Sequence, residues 1–264
     1  MLNSVLYPLL LLGCMGLIFG GILGFASIIF KVERDPKIDE VRACLPGANC
    51  GGCGFAGCDA LAEAIAKGDA PVNGCPVGGS VVAEKIGKVM GVEAASSDRM
   101  TAYVMCNGNC DAAKNKFEYY GVDDCDFEAG VNGGHKACSF GCVGDGNCVK
   151  ACDFDAIHVV NGVAVVDKEK CVSCGACIKA CPKHLIELVP YKMKVRVACS
   201  SHDMPKAAKD NCANACIGCK MCERNCKFDA VHVTDFLAKV DYSKCKNCGL
   251  CTQKCPTKAI SKSA

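Results

Sequence analysis

Cys245, Cys248, Cys251 and Cys255 stand at the spacing C-x2-C-x2-C-x3-C, with Pro256 behind them, and Cys216, Cys219, Cys222 and Cys226 repeat it upstream. Three thiolates two residues apart can wrap one Fe4S4 cube, while the fourth reaches a neighbouring cube. Ligation then crosses between runs: Cys216, Cys219 and Cys222 take Cys255, and Cys245, Cys248 and Cys251 take Cys226. Gly218 and Gly249 let backbone amides approach the sulfurs, where hydrogen bonds tune the reduction potential. A zinc ribbon also uses paired C-x2-C, but it needs only two cysteines at that spacing. Triple runs closed by C-x3-C-P therefore point to [4Fe-4S] clusters.

The same arrangement occurs twice. Adding 74 to Cys125, Cys138, Cys142, Cys148, Cys152, Cys171, Cys174, Cys177 and Cys181 lands on cysteine every time, ending at Cys255. Residues 154–159, Phe-Asp-Ala-Ile-His-Val, face residues 228–233, Phe-Asp-Ala-Val-His-Val. This is a tandem duplication, and repeats of this kind set the architecture. The first copy keeps Cys171, Cys174, Cys177, Cys181 and Pro182, but Asp145 stands opposite Cys219. Three readings are open: Cys138 supplies the missing thiolate, Asp145 supplies an oxygen, or the cluster has three cysteines. Cys138 is favoured, being a short loop away from Cys142. The crossed sets are then Cys138, Cys142 and Cys148 with Cys181, and Cys171, Cys174 and Cys177 with Cys152. His158 and His232 match between copies, which duplication explains without a ligand role.

These sites need elements to carry them. The spacing is that of two-cluster ferredoxins, so each half should supply a hairpin and a short helix around the cubes. The chain has 264 residues, 27 of them cysteine, no tryptophan and few other aromatics. Several small domains held by metal fit that composition better than one large apolar core. A formal net charge of +2 gives no reason to expect nucleic acid.

Residues 5–30 contain no charge, a run longer than the roughly 20 residues that cross a bilayer. The run lacks the basic start of a secretory signal and is too long for one. Lys31, Arg34, Lys37 and Arg42 follow it, so the cysteine-rich body is expected on the cytoplasmic side. That compartment is reducing and disfavours disulfides. Gly16, Gly20 and Gly24 recur on one helical face, where another membrane helix could approach. Cys14 in this run reads as a packing residue.

Between anchor and repeats, Cys50, Cys53, Cys58 and Cys75 form a four-cysteine set crowded by glycines, with a helix expected over residues 59–67. Cys44 lies outside it and reads as a free thiol. Residues 80–92 put Val82, Ile86, Val89 and Met90 on one helical face. The LPGxNCGxCGxxGC…CPxGG pattern of residues 45–79, behind one apolar helix and ahead of ferredoxin repeats, resembles the B subunit of the Rnf complex, in its longer form. That family is an ion-translocating ferredoxin:NAD+ oxidoreductase. The resemblance implies a membrane-anchored relay, taking electrons from soluble ferredoxin and passing them to integral-membrane and flavin-bearing subunits. NAD and flavin sites would lie on those subunits, and no strand–GxGxxG–helix unit occurs here. The alternatives are a membrane polyferredoxin with another redox partner and a catalytic or activating iron–sulfur protein.

The expected class is α+β, in five parts: an anchor at 1–31, a small helical [4Fe-4S] domain at 32–92, a connector at 93–137, and ferredoxin-like domains at 138–198 and 199–264. Five clusters are expected. Cys106, Cys110, Cys125, Cys199 and Cys212 are left over and leave room for a sixth, begun by Cys106, Cys110 and Cys125, with Cys138, Cys199 or Cys212 as the fourth ligand.

Overall fold

The structure, a computed structural model, describes residues 2–29, 35–93 and 98–262. Phe30, Lys31 and Arg34 lie outside them. The apolar run forms one helix, α1 (Leu2–Ile29). Leu10, Leu12, Leu17, Phe19, Leu23 and Phe25 are all exposed on it. A Cβ added at Gly16, Gly20 or Gly24 would meet nothing, so the small-residue face is open. Among the described residues, no helix is long and apolar enough to cross a membrane.

The segment that follows packs three helices: α2 (Pro36–Cys44), α3 (Cys58–Lys67) and α4 (Gly79–Met90). Asp35 caps α2 by accepting from the Lys37 amide at 2.9 Å, and Pro36 opens the helix. Gly68 and Gly91, both left-handed, end α3 and α4. Val41, Leu61, Ile65 and Ile86 are fully buried where the helices meet, with Val82, Val89 and Met90 against them. The helix and apolar face expected over 59–67 and 80–92 are both present.

The remainder is two copies of one plan. In the first, β1 (Met100–Val104) pairs antiparallel with β4 (Ile186–Pro190), and β2 (Ile157–Val160) forms a hairpin with β3 (Val163–Val166). In the second, β5 (Val195–Val197) pairs with β8 (Ile260–Lys262), and β6 (Val231–Thr234) with β7 (Leu237–Val240). Short helices lie within the cysteine runs: α6 (Asn147–Lys150) and α7 (Ala176–Lys179), then α9 (Met221–Arg224) and α10 (Leu250–Lys254). Each copy adds one helix in its connection: α5 (Cys125–Gly130) and α8 (Pro205–Asn211). Left-handed residues recur at the same offset, as at Asp155 and Asp229, Ser173 and Asn247, and His184 and Lys258.

One expectation needs correction. Only the leading half of each copy closes a hairpin. The strand of the trailing half pairs instead with one that precedes the whole copy, because a lone short strand must find a partner for its backbone groups. In these pairings β1, from the expected connector at 93–137, joins the trailing strand of the first copy, and β5, from the end of the expected domain at 138–198, joins that of the second.

The strand pairing also shifts one correspondence. Met105 N–H donates to Leu185 O at 2.7 Å, and Ala198 N–H donates to Ala259 O at 2.8 Å. Leu185 and Ala259 are 74 apart, but Met105 and Ala198 are 93 apart. The first copy thus carries a 19-residue insertion, and the structural counterpart of Cys199 is Cys106. The match of Cys125 with Cys199 is a coincidence of numbering.

Candidate functional site

The cysteines gather in sets within the cores. Cys58 opens α3 and is buried, as is Cys75, with Cys50 and Cys53 half-buried. Asn49 Oδ1 accepts from the Cys58 amide at 2.9 Å, and Gly78 N–H donates to Cys75 Sγ at 3.4 Å. Burial pushes the Cys75 thiol up, and Cys58 and Cys53 beside it push the same way. In the first copy, Cys152, Cys171, Cys174 and Cys177 line one cavity. Ala102 N–H donates to Cys171 Sγ at 3.3 Å, and Ala156 N–H to Cys152 Sγ at 3.5 Å. The Cys177 thiol is pushed up to about 11, first by burial and then by Cys171, Cys174 and Cys152.

A second cavity in that copy is lined by Cys125, Cys142, Cys148 and Cys181 among Val104, Val143, Leu185 and Ile186. Burial, then the thiols of Cys142, Cys125 and Cys181, push Cys148 up to about 12. Cys125 stands where α5 begins. Its amide donates to Asn147 Oδ1 at 3.1 Å, and Lys150 Nζ donates to Asp123 O at 2.9 Å, so the insertion is tied to α6. Asp145 does not line this cavity. Its carboxyl is raised to about 6 by burial and then by Glu128, which accepts from the His135 amide at 2.8 Å.

In the second copy, Cys216, Cys222 and Cys251 are buried in one core, with Cys226, Cys245 and Cys255 packed against it. Cys222 is pushed up to about 11 by burial, Cys216 and Cys219 adding to the rise. Cys251 reaches about 11 by burial, then Cys245, Cys248 and, more weakly, Cys226. Ala230 N–H donates to Cys226 Sγ at 3.3 Å, as Ala156 does to Cys152.

One more group lies between the copies. Cys106, Cys138, Cys199 and Cys212 line one cavity. Cys138, favoured on sequence for the leading site of the first copy, is therefore with three of the leftover cysteines, while leftover Cys125 sits in that leading site. Cys110 joins neither group; it is exposed, its sulfur close to Gly162. Cys44 packs at the edge of the helical domain and Cys14 is exposed on α1. His158 and His232 reach Asp155 and Asp229 at 3.6 and 3.7 Å on the surface, away from the cavities. The sequence signal for the exchange was available: Val104-Met105-Cys106 mirrors Val197-Ala198-Cys199, each a strand ending two residues before its cysteine.

Among the described residues, no three His, Cys, Asp or Glu side chains close on one point as ligands of a single ion would. A cubane gives each thiolate a different iron, so its ligands stand around a volume. Four-thiol sets, apolar walls and amides directed at sulfur fit that group.

A family described as "Putative Fe-S cluster" matches residues 45–77. Families described as "4Fe-4S binding domain" match 164–187 and 238–261, and also 213–229. The chain is 48% identical to the B subunit of the Na(+)-translocating ferredoxin:NAD(+) oxidoreductase complex of Acetobacterium woodii, over 99% of this chain and 79% of that protein. It is 44% identical to the B subunit of the ion-translocating oxidoreductase complex of Methanosarcina acetivorans, over 98% and 99% of the two chains. The chain belongs to the family of Rnf B subunits. As a member it carries multiple [4Fe-4S] clusters and is an electron-transfer subunit of a membrane-associated, ion-translocating oxidoreductase complex. A third relative, from Clostridium ljungdahlii, is 41% identical over 98% of this chain and 93% of its own, and is named as proton-translocating.

Proposed function

We propose that this Rnf B subunit takes single electrons from reduced soluble ferredoxin and passes them along its length to integral-membrane and flavin-bearing subunits. The proposed ligands are Cys50, Cys53, Cys58 and Cys75 in the helical domain, Cys152, Cys171, Cys174 and Cys177 in the first copy, and the two crossed sets of the second copy. When bound, the clusters supply one-electron redox chemistry. The protein's own residues bury the thiols, direct amides at them and set the distances between them.

The observation that carries this reading is the close approach of the helical domain to the first copy. A Cβ on Gly52 would lie 2.6 Å from Cys174 O and 2.9 Å from its Cα. Cys50 is near enough to Cys174 to raise its thiol, behind burial. Two four-cysteine sets thus abut, as an electron relay requires and a set of independent zinc modules does not. The names of the relatives, which pair ferredoxin with NAD(+), support the donor. The proposal also makes the uncharged run of residues 5–30 a single membrane span with the body on the cytoplasmic side. Its apolar side chains, its open glycine face, and Lys37 and Arg42 beyond it support this.

The test is anaerobic mixing of the full chain in detergent with reduced ferredoxin, followed by absorbance and electron paramagnetic resonance. Reduction by ferredoxin, and none by NADH without the other subunits, is expected. Clusters that stay oxidised with ferredoxin but accept electrons from a small reductant of equal potential would overturn the donor assignment.

A further inference from the structure

We propose that Cys106, Cys138, Cys199 and Cys212 hold a further [4Fe-4S] cluster at the seam between the two ferredoxin copies, and that Cys125, brought by the insertion in the first copy, completes that copy's leading site with Cys142, Cys148 and Cys181. The inference rests on the iron–sulfur reading above and adds to it a site whose ligands come from both copies.

The seam site obeys the internal symmetry. Cys106 and Cys199 are counterparts, each two residues past the end of a matching strand; Cys138 and Cys212 are counterparts 74 residues apart. Each copy therefore contributes the same two thiols. The amide bonds match as well: Cys142 N–H donates to Cys106 Sγ at 3.4 Å, and its counterpart Cys216 N–H donates to Cys199 Sγ at 3.3 Å. Gly108 and Ser201 add amides to Cys106 and Cys199 at 3.4 and 3.5 Å. The copies are docked around the site. Ala213 N–H donates to Ala112 O at 2.8 Å, Lys114 N–H to Asn211 O at 3.0 Å, and Ser200 Oγ to Met105 O at 2.9 Å.

Charge gives an independent indication. Lys136 is 4% exposed on the wall of this cavity. Its ammonium donates to Gly108 O at 2.9 Å and Gly162 O at 2.7 Å and makes no ion pair among the described residues. A buried cation whose hydrogen-bond partners are both carbonyls calls for a negative occupant nearby. Four thiolates around an iron–sulfur core supply one.

The same assignment explains Asp145. The first copy lacks the cysteine that Cys219 provides in the second, and the extra segment that only the first copy has carries Cys125 into the gap. Cys44, Cys110 and Cys14 are then the thiols left without iron. The seam site also joins the relay, because ligands of both leading sites, Cys142 and Cys216, donate their amides to its sulfurs. The order runs from the helical domain through the trailing and leading sites of the first copy, across the seam, to the leading and trailing sites of the second.

Iron and acid-labile sulfide, counted on the anaerobically purified full chain, test this directly: six cubes give about 24 irons, five about 20. Cys138→Ala and Cys212→Ala should each remove about four irons, and the double variant the same four. Cys138→Ala with Cys142→Ala should remove about eight, since these residues serve different clusters. A wild-type count near 20, or a Cys138/Cys142 double variant that loses only four, would overturn the seam site while leaving the relay reading intact. Stoichiometric zinc with little iron would overturn both. If a variant fails to fold, the wild-type count, which needs no substitution, decides.

Discussion

Asp145 shows how one residue separates competing ligand schemes. Its carboxyl, raised to about 6 by burial and then by Glu128, binds a proton more tightly in the folded chain than in the unfolded one. Its contribution to stability is therefore fully present below about pH 4 and is lost as the pH rises through about 6. Asp145→Asn removes that loss. The variant should unfold at a higher temperature than the parent at neutral pH, with the advantage shrinking toward pH 4, and should keep its full iron content. Loss of about four irons would make Asp145 a ligand and remove Cys125 from that role. Cys110→Ser, at an exposed position beside Gly162, should leave both iron content and the redox spectrum unchanged. Cys125 is the contrasting case: Cys125→Ala should cost one cluster.

At the scale of the element, the two hairpins make a controlled comparison. The first turns on Asn161-Gly162, with φ of +49° and +75°, the residues a two-residue hairpin favours. The second turns on Asp235-Phe236, with φ of +47° and +62°, and a phenylalanine is strained there. Phe236→Gly should stabilise the second copy by about 0.5–1 kcal/mol, read from anaerobic denaturant unfolding. Gly218 beneath it tolerates no side chain, since a Cβ would lie 2.8 Å from Phe236 Cα. Gly218→Ala should therefore cost about 1–3 kcal/mol and loosen the Cys216–Cys219–Cys222 run. What could be read from the sequence follows from these distances along the chain. The duplication, the cysteine runs and the helices around 59–67 and 80–92 are local patterns and were legible. The pairing of β1 with β4 spans more than eighty residues, so neither strand reveals its partner locally. The seam site was hidden for the same reason. Cys125 happens to lie 74 residues before Cys199, so arithmetic pointed at the wrong counterpart, and only the hydrogen bonds after β1 and β5 give the right one.

At the scale of the whole molecule, cores built around cysteine sets imply that metal loading and folding are one event. Chelating the iron anaerobically should therefore collapse the circular dichroism of residues 44–260; a cluster-free sample with native dichroism would refute this. The contact between Gly52 and Cys174 makes a separate prediction about connection. Gly52→Ala should keep every cluster yet slow electron exchange between the helical domain and the ferredoxin copies at least several-fold, as seen by rapid-mixing spectroscopy. The central claim is that the clusters form one continuous path. The measurement that tests it most directly is an anaerobic reductive titration of the full chain, comparing reduced ferredoxin with a small diffusible reductant poised at the same potential. A continuous path predicts the same number of electron equivalents from both reductants. Ferredoxin filling only part of what the small reductant fills would mean the clusters are not joined, and would contradict the account.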